Sequence, residues 1–142
     1  MSRRVMAVDY GNVRTGVALS DLTATLAGQA LVLTQTGKAL VARLVELAHE
    51  SDAAVVVVGC PRNMDGSYGP AAQKSQTLAA KLEEAGLRVI LRDERLTTVD
   101  AHKILSMNDR RGSDRKAKVD AVAASLILQN YLDFLNNSVN PT

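Results

Sequence analysis

Val5-Met6-Ala7-Val8-Asp9-Tyr10-Gly11-Asn12-Val13-Arg14-Thr15-Gly16-Val17-Ala18-Leu19-Ser20 sets two apolar runs on either side of a turn. The first run, Val5 to Val8, leans toward β-structure and stops at Asp9. Gly11-Asn12 is a turn signal, and Thr15 to Ser20 reads as a second strand, so the segment predicts a hairpin. Everything downstream has to pack on that hairpin.

A third strand fits Gln29 to Leu33. From Ala39 to Ala48 the apolar spacing becomes helical, with Leu40, Leu44 and Leu47 on one face and Gly37 just ahead. Ala53 to Gly59 is a continuous rather than alternating apolar run, which implies a central parallel strand buried on both faces. Pro61 to Pro70 is a loop rich in Gly, Pro, Asn and Asp. A helix over Ala71 to Ala85 follows, closed by Gly86. Leu87 to Arg92 is a fifth strand, running into Asp93-Glu94-Arg95.

Thr97 or Thr98 suits the cap of a further helix ending near Met107, with Asp100 as a first-turn acid. Asn108 to Asp114, which contains Gly112, reads as a mobile loop, and a last helix runs from about Arg115 to Leu135. The order β-β-β-α-β-α-β-α-α predicts an α/β protein, a five-stranded mixed sheet flanked by helices on both faces. At 142 residues there is room for one domain. Residues 1–135 would form it, and Asn136 to Thr142 would be a polar tail.

The composition, 46% hydrophobic and 23% charged, is that of an ordinary globular chain able to bury a core without staples. The single cysteine, Cys60, ends an apolar run and reads as a small buried hydrophobe. No stretch is long and apolar enough to span a bilayer, and Met1-Ser2-Arg3-Arg4 lacks the apolar core of a signal peptide. A free cysteine and no export signal predict a cytoplasmic protein with no membrane partner.

Net charge is +2, but it is unevenly placed. Between Lys103 and Lys118 six basic residues face two acids, a local +4. That concentration suits a polyanion, and equally a solvated loop and helix start. His49 and His102 have polar neighbours and read as surface residues. Aromatic content is 3%, so backbone and shape contacts, rather than base stacking, should dominate any nucleic-acid recognition.

Three acids stand out by position. Asp9 ends the first strand, Glu94 follows the fifth, and Asp120 lies among Val119, Val122, Ala123 and Ala124 early in the last helix. Strand ends in open α/β sheets are where ligand crevices form, so the three have reason to converge. Taken singly, each is more often a turn former, a helix-start charge or a salt-bridge partner. Together, converging carboxylates repel unless a divalent cation neutralises them. Oxygen-only ligands favour Mg²⁺ or Mn²⁺ over Zn²⁺.

The segments around these acids carry recurring strings. They are Asp9-Tyr10-Gly11-x-x-Arg14-x-Gly16-Val17-Ala18-x-Ser20-Asp21 and Val58-Gly59-x-Pro61-x-Asn63-Met64-Asp65-Gly66-Ser67 with Gly69-Pro70. Then come Asp93-Glu94-Arg95-Leu96-Thr97-Thr98 and Lys118-Val119-Asp120-x-x-Ala123-Ala124-x-x-x-Leu128-Gln129. In this order they resemble the pre-16S ribosomal RNA nuclease family, also described as Holliday-junction-resolvase-like. The resemblance spans nearly the whole chain; Cys60 stands where that family commonly has an aliphatic residue. It implies a ribonuclease H-like fold, metal-binding carboxylates at Asp9, Glu94 and Asp120, and trimming of the 5′ end of precursor ribosomal RNA.

These expectations define a metal-dependent hydrolase. Two ions about 4 Å apart would share the carboxylates, with Asp9 bridging because a strand end is the most rigid mount. Arg14, Asn63, Ser67, Lys116 and Lys118 are candidates for holding substrate phosphate. Each also has a plain structural reading: a solvated turn for Arg14, a built turn for Asn63 and Ser67, charge balance for the lysines. The substrate is structured RNA or branched DNA. A monomer or homodimer would serve trimming, whereas symmetric cutting of a junction calls for the dimer. Two other classes compete: a phosphotransferase, from the Asp9-x-Gly11 opening, against which the length argues because such proteins need two such domains, and a non-catalytic nucleic-acid-binding module, whose expected sign would be loss of one of the three acids.

Overall fold

The computed structural model describes residues 3–63, 65–93 and 112–139, with 112–120 and 137–139 described by backbone alone. Five strands, β1 (Val5–Asp9), β2 (Thr15–Ser20), β3 (Ala27–Leu33), β4 (Val55–Cys60) and β5 (Val89–Asp93), form one sheet in the order β3-β2-β1-β4-β5. The predicted hairpin is present: β1 and β2 are antiparallel, with Asp9 opposite Gly16. β2 pairs antiparallel with β3, while β1 pairs parallel with β4 and β4 parallel with β5. The sheet is therefore mixed, and β1, β3, β4 and β5 all end at the same edge.

Three helices are described: α1 (Gly37–Glu50), α2 (Pro70–Glu84) and α3 (Gly112–Val139). They divide between the two faces. Met6, Val8, Val17, Leu19, Val56 and Val58 point to one side, where Leu40, Leu44 and Leu47 of α1 and Leu78 and Leu82 of α2 cover them. Val5, Ala7, Ala18 and Val57 point to the other, against Ala124, Ile127, Leu128, Tyr131 and Leu132 of α3. Strict alternation in β1 and β4, with every residue from Val5 to Val8 and from Val56 to Cys60 buried, confirms the two-sided burial that the continuous apolar runs imply. The α3 side of the sheet is built from smaller residues, Ala7 and Ala18 among them, and meets the alanines of the helix.

Several boundaries shift for identifiable reasons. Leu87 is not in the fifth strand, because its amide reaches back to the Leu82 carbonyl at 3.2 Å and finishes α2. Gly86 supplies the left-handed residue of that helix end, at φ +95°. The last helix begins at Gly112, not Arg115, so residues 112–114, expected in a mobile loop, are helical. Nothing in Gly112-Ser113-Asp114 obstructs a first turn, and an acid there suits the helix dipole. The helix also runs to Val139, past the expected end at Leu135, and Asn136 donates to the Ala24 carbonyl at 3.4 Å. The helix expected from Thr97 or Thr98 to Met107, the 108–111 stretch and His102 lie outside the described residues. His49 is exposed on α1, and Cys60 is buried.

Two turns constrain the backbone around β2. A Cβ on Gly11 would sit 2.2 Å from the Arg14 carbonyl oxygen, so the β1–β2 turn closes only around glycine. In the β2–β3 loop, the Asp21 carboxylate accepts from the Thr23 hydroxyl at 2.6 Å, the Thr25 amide at 2.8 Å and hydroxyl at 2.7 Å, and the Leu26 amide at 3.2 Å. The loop holds Ala24 at φ 59° with its methyl buried against α3.

Gly11→Ala should therefore destabilise the protein by about 2 kcal/mol or more, read as a lowered urea midpoint with an unchanged slope. The Asp21 case depends on pH. Donation first from Thr23, then from Thr25 and Leu26, holds the Asp21 carboxyl well below the usual carboxylate range, against a small opposing cost of desolvation. A folded value depressed in this way stabilises the loop above the ordinary carboxylate pKa of about 4, and the contribution is lost as pH falls through the folded value. Amide-exchange protection at Thr25 and Leu26 should hold between pH 5 and pH 7, decline progressively below about pH 4, and lose this dependence in Asp21→Asn.

Candidate active site

The alternation that builds the core also aims Asp9. Val5 and Ala7 face α3 while Met6 and Val8 face α1 and α2, so Asp9 points to the α3 side and Tyr10, next in the chain, packs on the opposite core. Asp9 is half-buried at the carboxyl end of β1. It stands where the chain order reverses: β1 continues to β2 and β3 on one side and borders β4 and β5 on the other. In open α/β sheets that reversal opens a crevice beyond the strand ends.

β5 ends beside it. Val58 is level with Val8, Gly59 with Arg92, and Cys60 with Asp93, so the carboxyl ends of β1, β4 and β5 are in step. Glu94, one position after Asp93, lies outside the described residues. Asp120 belongs to the backbone-only part of α3, one turn before Ala123 and Ala124, both fully buried. The structure thus places Asp9 and the backbone of Asp120 on the same face of the sheet. Among the described residues no three Asp, Glu, His or Cys side chains converge to hold a metal. Two of the three expected ligands fall outside that set.

The donor chemistry around Asp9 fits a hard cation. Cys60, the one soft donor near this edge among the described residues, turns its thiol toward the Ala72 carbonyl of α2, 4.0 Å away, on the far face of the sheet. It is removed from any site that Asp9 shares with α3. Asp9 itself offers carboxylate oxygen on the α3 side, the ligand type of Mg²⁺ and Mn²⁺.

The other candidates are placed as follows. Arg14 is half-buried at the Asp9 end of the hairpin, where its carbonyl lies over Gly11. Asn63 and Ser67 are exposed in the loop between β4 and α2, and both help to build it. The Asn63 amide nitrogen of the side chain donates to Ser67 Oγ at 3.0 Å, and Ser67 Oγ donates to the Asp65 carboxylate at 2.6 Å. Arg62 reinforces the loop by donating to the Gly66 carbonyl at 2.8 Å and stacking 4.5 Å above the Tyr68 ring. Lys116 and Lys118 lie in α3 within about one turn of Asp120, in its backbone-only part.

Two residues beyond the expected site residues hold the edges of the site in place. Arg92, on the α3 side of β5, donates to Asn130 Oδ1 at 2.6 Å and lies 5.0 Å from the Phe134 ring and 5.8 Å from that of Tyr131. Such cation–π contacts add roughly 0.5–2 kcal/mol each. Gln129 accepts from the Ala27 amide at 3.0 Å and donates to the Thr25 carbonyl at 3.2 Å, fastening the start of β3. Gln129 belongs to a recurring string, and the structure gives it a structural reason. Arg92 was legible only as one more strand charge.

Comparison with known proteins agrees with this architecture. A sequence profile described as "RuvX: Holliday junction resolvase" matches residues 3–134. A protein of Thermoanaerobacter pseudethanolicus named "Putative pre-16S rRNA nuclease" is 40% identical over 94% of this chain and 99% of its own length. One of Moorella thermoacetica with the same name is 42% identical over 95% of this chain and 98% of its own. Among solved structures, T. thermophilus RuvC in complex with Holliday junction substrate superposes with a TM-score of 0.53. It shares 17% identity over 92% of this chain and 95% of that one, a likeness of fold. The large terminase nuclease of the thermophilic phage G20c superposes equally well, at a TM-score of 0.53 and 14% identity over 87% of this chain and 81% of that one. The fold is therefore the ribonuclease H-like one of RuvC, and the chain belongs to the RuvX family of Holliday-junction-resolvase-type nucleases.

Proposed function

We propose that this protein hydrolyses phosphodiester bonds at a site formed by Asp9, Glu94 and Asp120, and that its substrate is the 5′ end of precursor 16S ribosomal RNA. The observation that carries the reading is the direction of Asp9. A rigid strand end presents its carboxylate to the face covered by α3, the helix on which Asp120 lies. Glu94 stands two positions after Arg92 and four after Ile90, both on that same face. The substrate is taken from the relatives named as pre-16S rRNA nucleases.

The three carboxylates would hold two Mg²⁺ or Mn²⁺ ions, which supply an activated water and stabilise the leaving oxygen. The protein's own part is positional. β1, buried on both faces, fixes Asp9, so that little rearrangement is needed when substrate arrives. The Gly11 turn keeps Arg14 beside Asp9, where its guanidinium can take a substrate phosphate. Lys116 and Lys118, within a turn of Asp120, offset phosphate charge. Asn63 and Ser67 shape the exposed loop beyond β4, at the sheet edge where a substrate backbone would pass. In-line displacement would leave a 3′-hydroxyl and a 5′-phosphate.

A second reading, resolution of four-way DNA junctions, is favoured by the description of the matching family profile. The chemistry is the same, and only the substrate differs.

Asp9→Asn should lower cleavage by more than about a hundredfold, the scale of losing one preorganised electrostatic group, with circular dichroism and melting temperature little changed. Cleavage by this variant at the wild-type rate would remove Asp9 from the site. Precursor 16S rRNA and a four-way DNA junction offered side by side, with Asp9→Asn as control, separate the two substrates. Excess EDTA should stop cleavage and added Mg²⁺ or Mn²⁺ restore it; full turnover in EDTA overturns the metal mechanism.

A further inference from the structure

On the opposite face from α3, a groove of about 380 Å³ runs between α1 and α2. It starts at the carboxyl edge of the sheet, where Tyr10 follows Asp9, and leads away past Lys74 to Lys81. Leu40, Val41 and Leu78 make its floor, and Gln73, Thr77 and the two lysines line its α2 side. No acidic residue lines it among the described residues. That is uneven placement again, since outside Lys103–Lys118 the chain carries a net −2. Lys74 and Lys81 are both exposed and stand seven residues apart on one helix face, roughly 10 Å along the axis. Lys74 also donates to Asn12 Oδ1 at 3.0 Å, so the groove wall is tied to the turn that follows Asp9. Both helices begin at this edge with no side-chain cap and no acid in the first turn, which leaves their positive ends uncompensated.

We propose that this groove carries the single-stranded polynucleotide flanking the scissile phosphate, with Lys74 and Lys81 on successive parts of its backbone and the apolar floor under its bases. Single-strand tracks pair a cationic groove with flat faces for the bases; the two lysines supply the first, and Tyr10 at the mouth supplies an aromatic face. The groove's continuity with the Asp9 turn makes it an exit path from the reaction site rather than a separate one. The assignment rests on the nuclease reading for its direction, but its test does not use cleavage.

Fluorescence anisotropy with oligouridylate and oligodeoxyuridylate of equal length, in EDTA, reads binding alone. Lys74→Gln with Lys81→Gln should weaken binding about three- to tenfold and reduce the salt slope by about 1.4, the amount for two phosphates on a single strand. Thr77→Trp keeps both lysines but fills the groove, and should weaken binding without changing that slope. A preference of the wild type for one oligomer tells ribose from deoxyribose. Unchanged affinity in both variants overturns the proposal. So does a change in the sedimentation of the protein alone with binding intact, because the groove is then a contact between copies. A protein that binds through the groove but does not cut loses the nuclease reading and keeps this one; one that cuts with a silent groove does the reverse.

Discussion

The parity of β1 governs the molecule. Four residues, Val5 to Val8, alternate between two cores, so the strand has no freedom to slip by one position without turning Met6 and Val8 onto the α3 helix and Ala7 onto the α1 and α2 side. Asp9 inherits its direction from that lock. The carboxylate is not held by a flexible loop searching for a partner but by the packing of the four residues before it. The same parity sends Tyr10 to the other face, so consecutive residues serve the proposed reaction site and the groove behind it.

α3 is the second organising element, because it touches the sheet at positions far apart across its width. Gln129 holds the start of β3, Asn136 holds the loop before it, and Asn130, Tyr131 and Phe134 hold Arg92 on β5. These contacts fall within two turns of one helix. The helix that carries Asp120 at one end is therefore registered against both outer strands at the other, and rotation about its axis would break polar contacts on two sides at once.

Local pattern made most of the fold legible. The hairpin, the central strand and the two-sided packing follow from where Val5 to Val8 and Val55 to Val58 lie in the sequence, since only a strand covered on both faces tolerates such runs. The starts of β5 and of α3 differ from the pattern because each depends on something periodicity does not carry. Leu87 is claimed by a helix-end hydrogen bond, and Gly112 is simply tolerated at a first turn. At the site, Asp9 was visible from the strand end and the surrounding string. Arg92 was not, because a stacked guanidinium and a solvated one look alike in sequence. Asn63 and Ser67 show the converse: residues singled out for substrate have a second task in closing their own loop.

The attachment of Gln129 has a consequence for the protein's behaviour among other chains. β3 is an outer strand, and an outer strand offers free amides and carbonyls to any extended segment that meets it. One side-chain amide takes the Ala27 amide and the Thr25 carbonyl, so the first rungs available for such pairing are already satisfied. On the opposite border, the stacking of Phe134 over Arg92 crowds the approach to β5. The helix that carries Asp120 thus also covers part of both sheet borders, where a neighbour's backbone would otherwise add to the sheet.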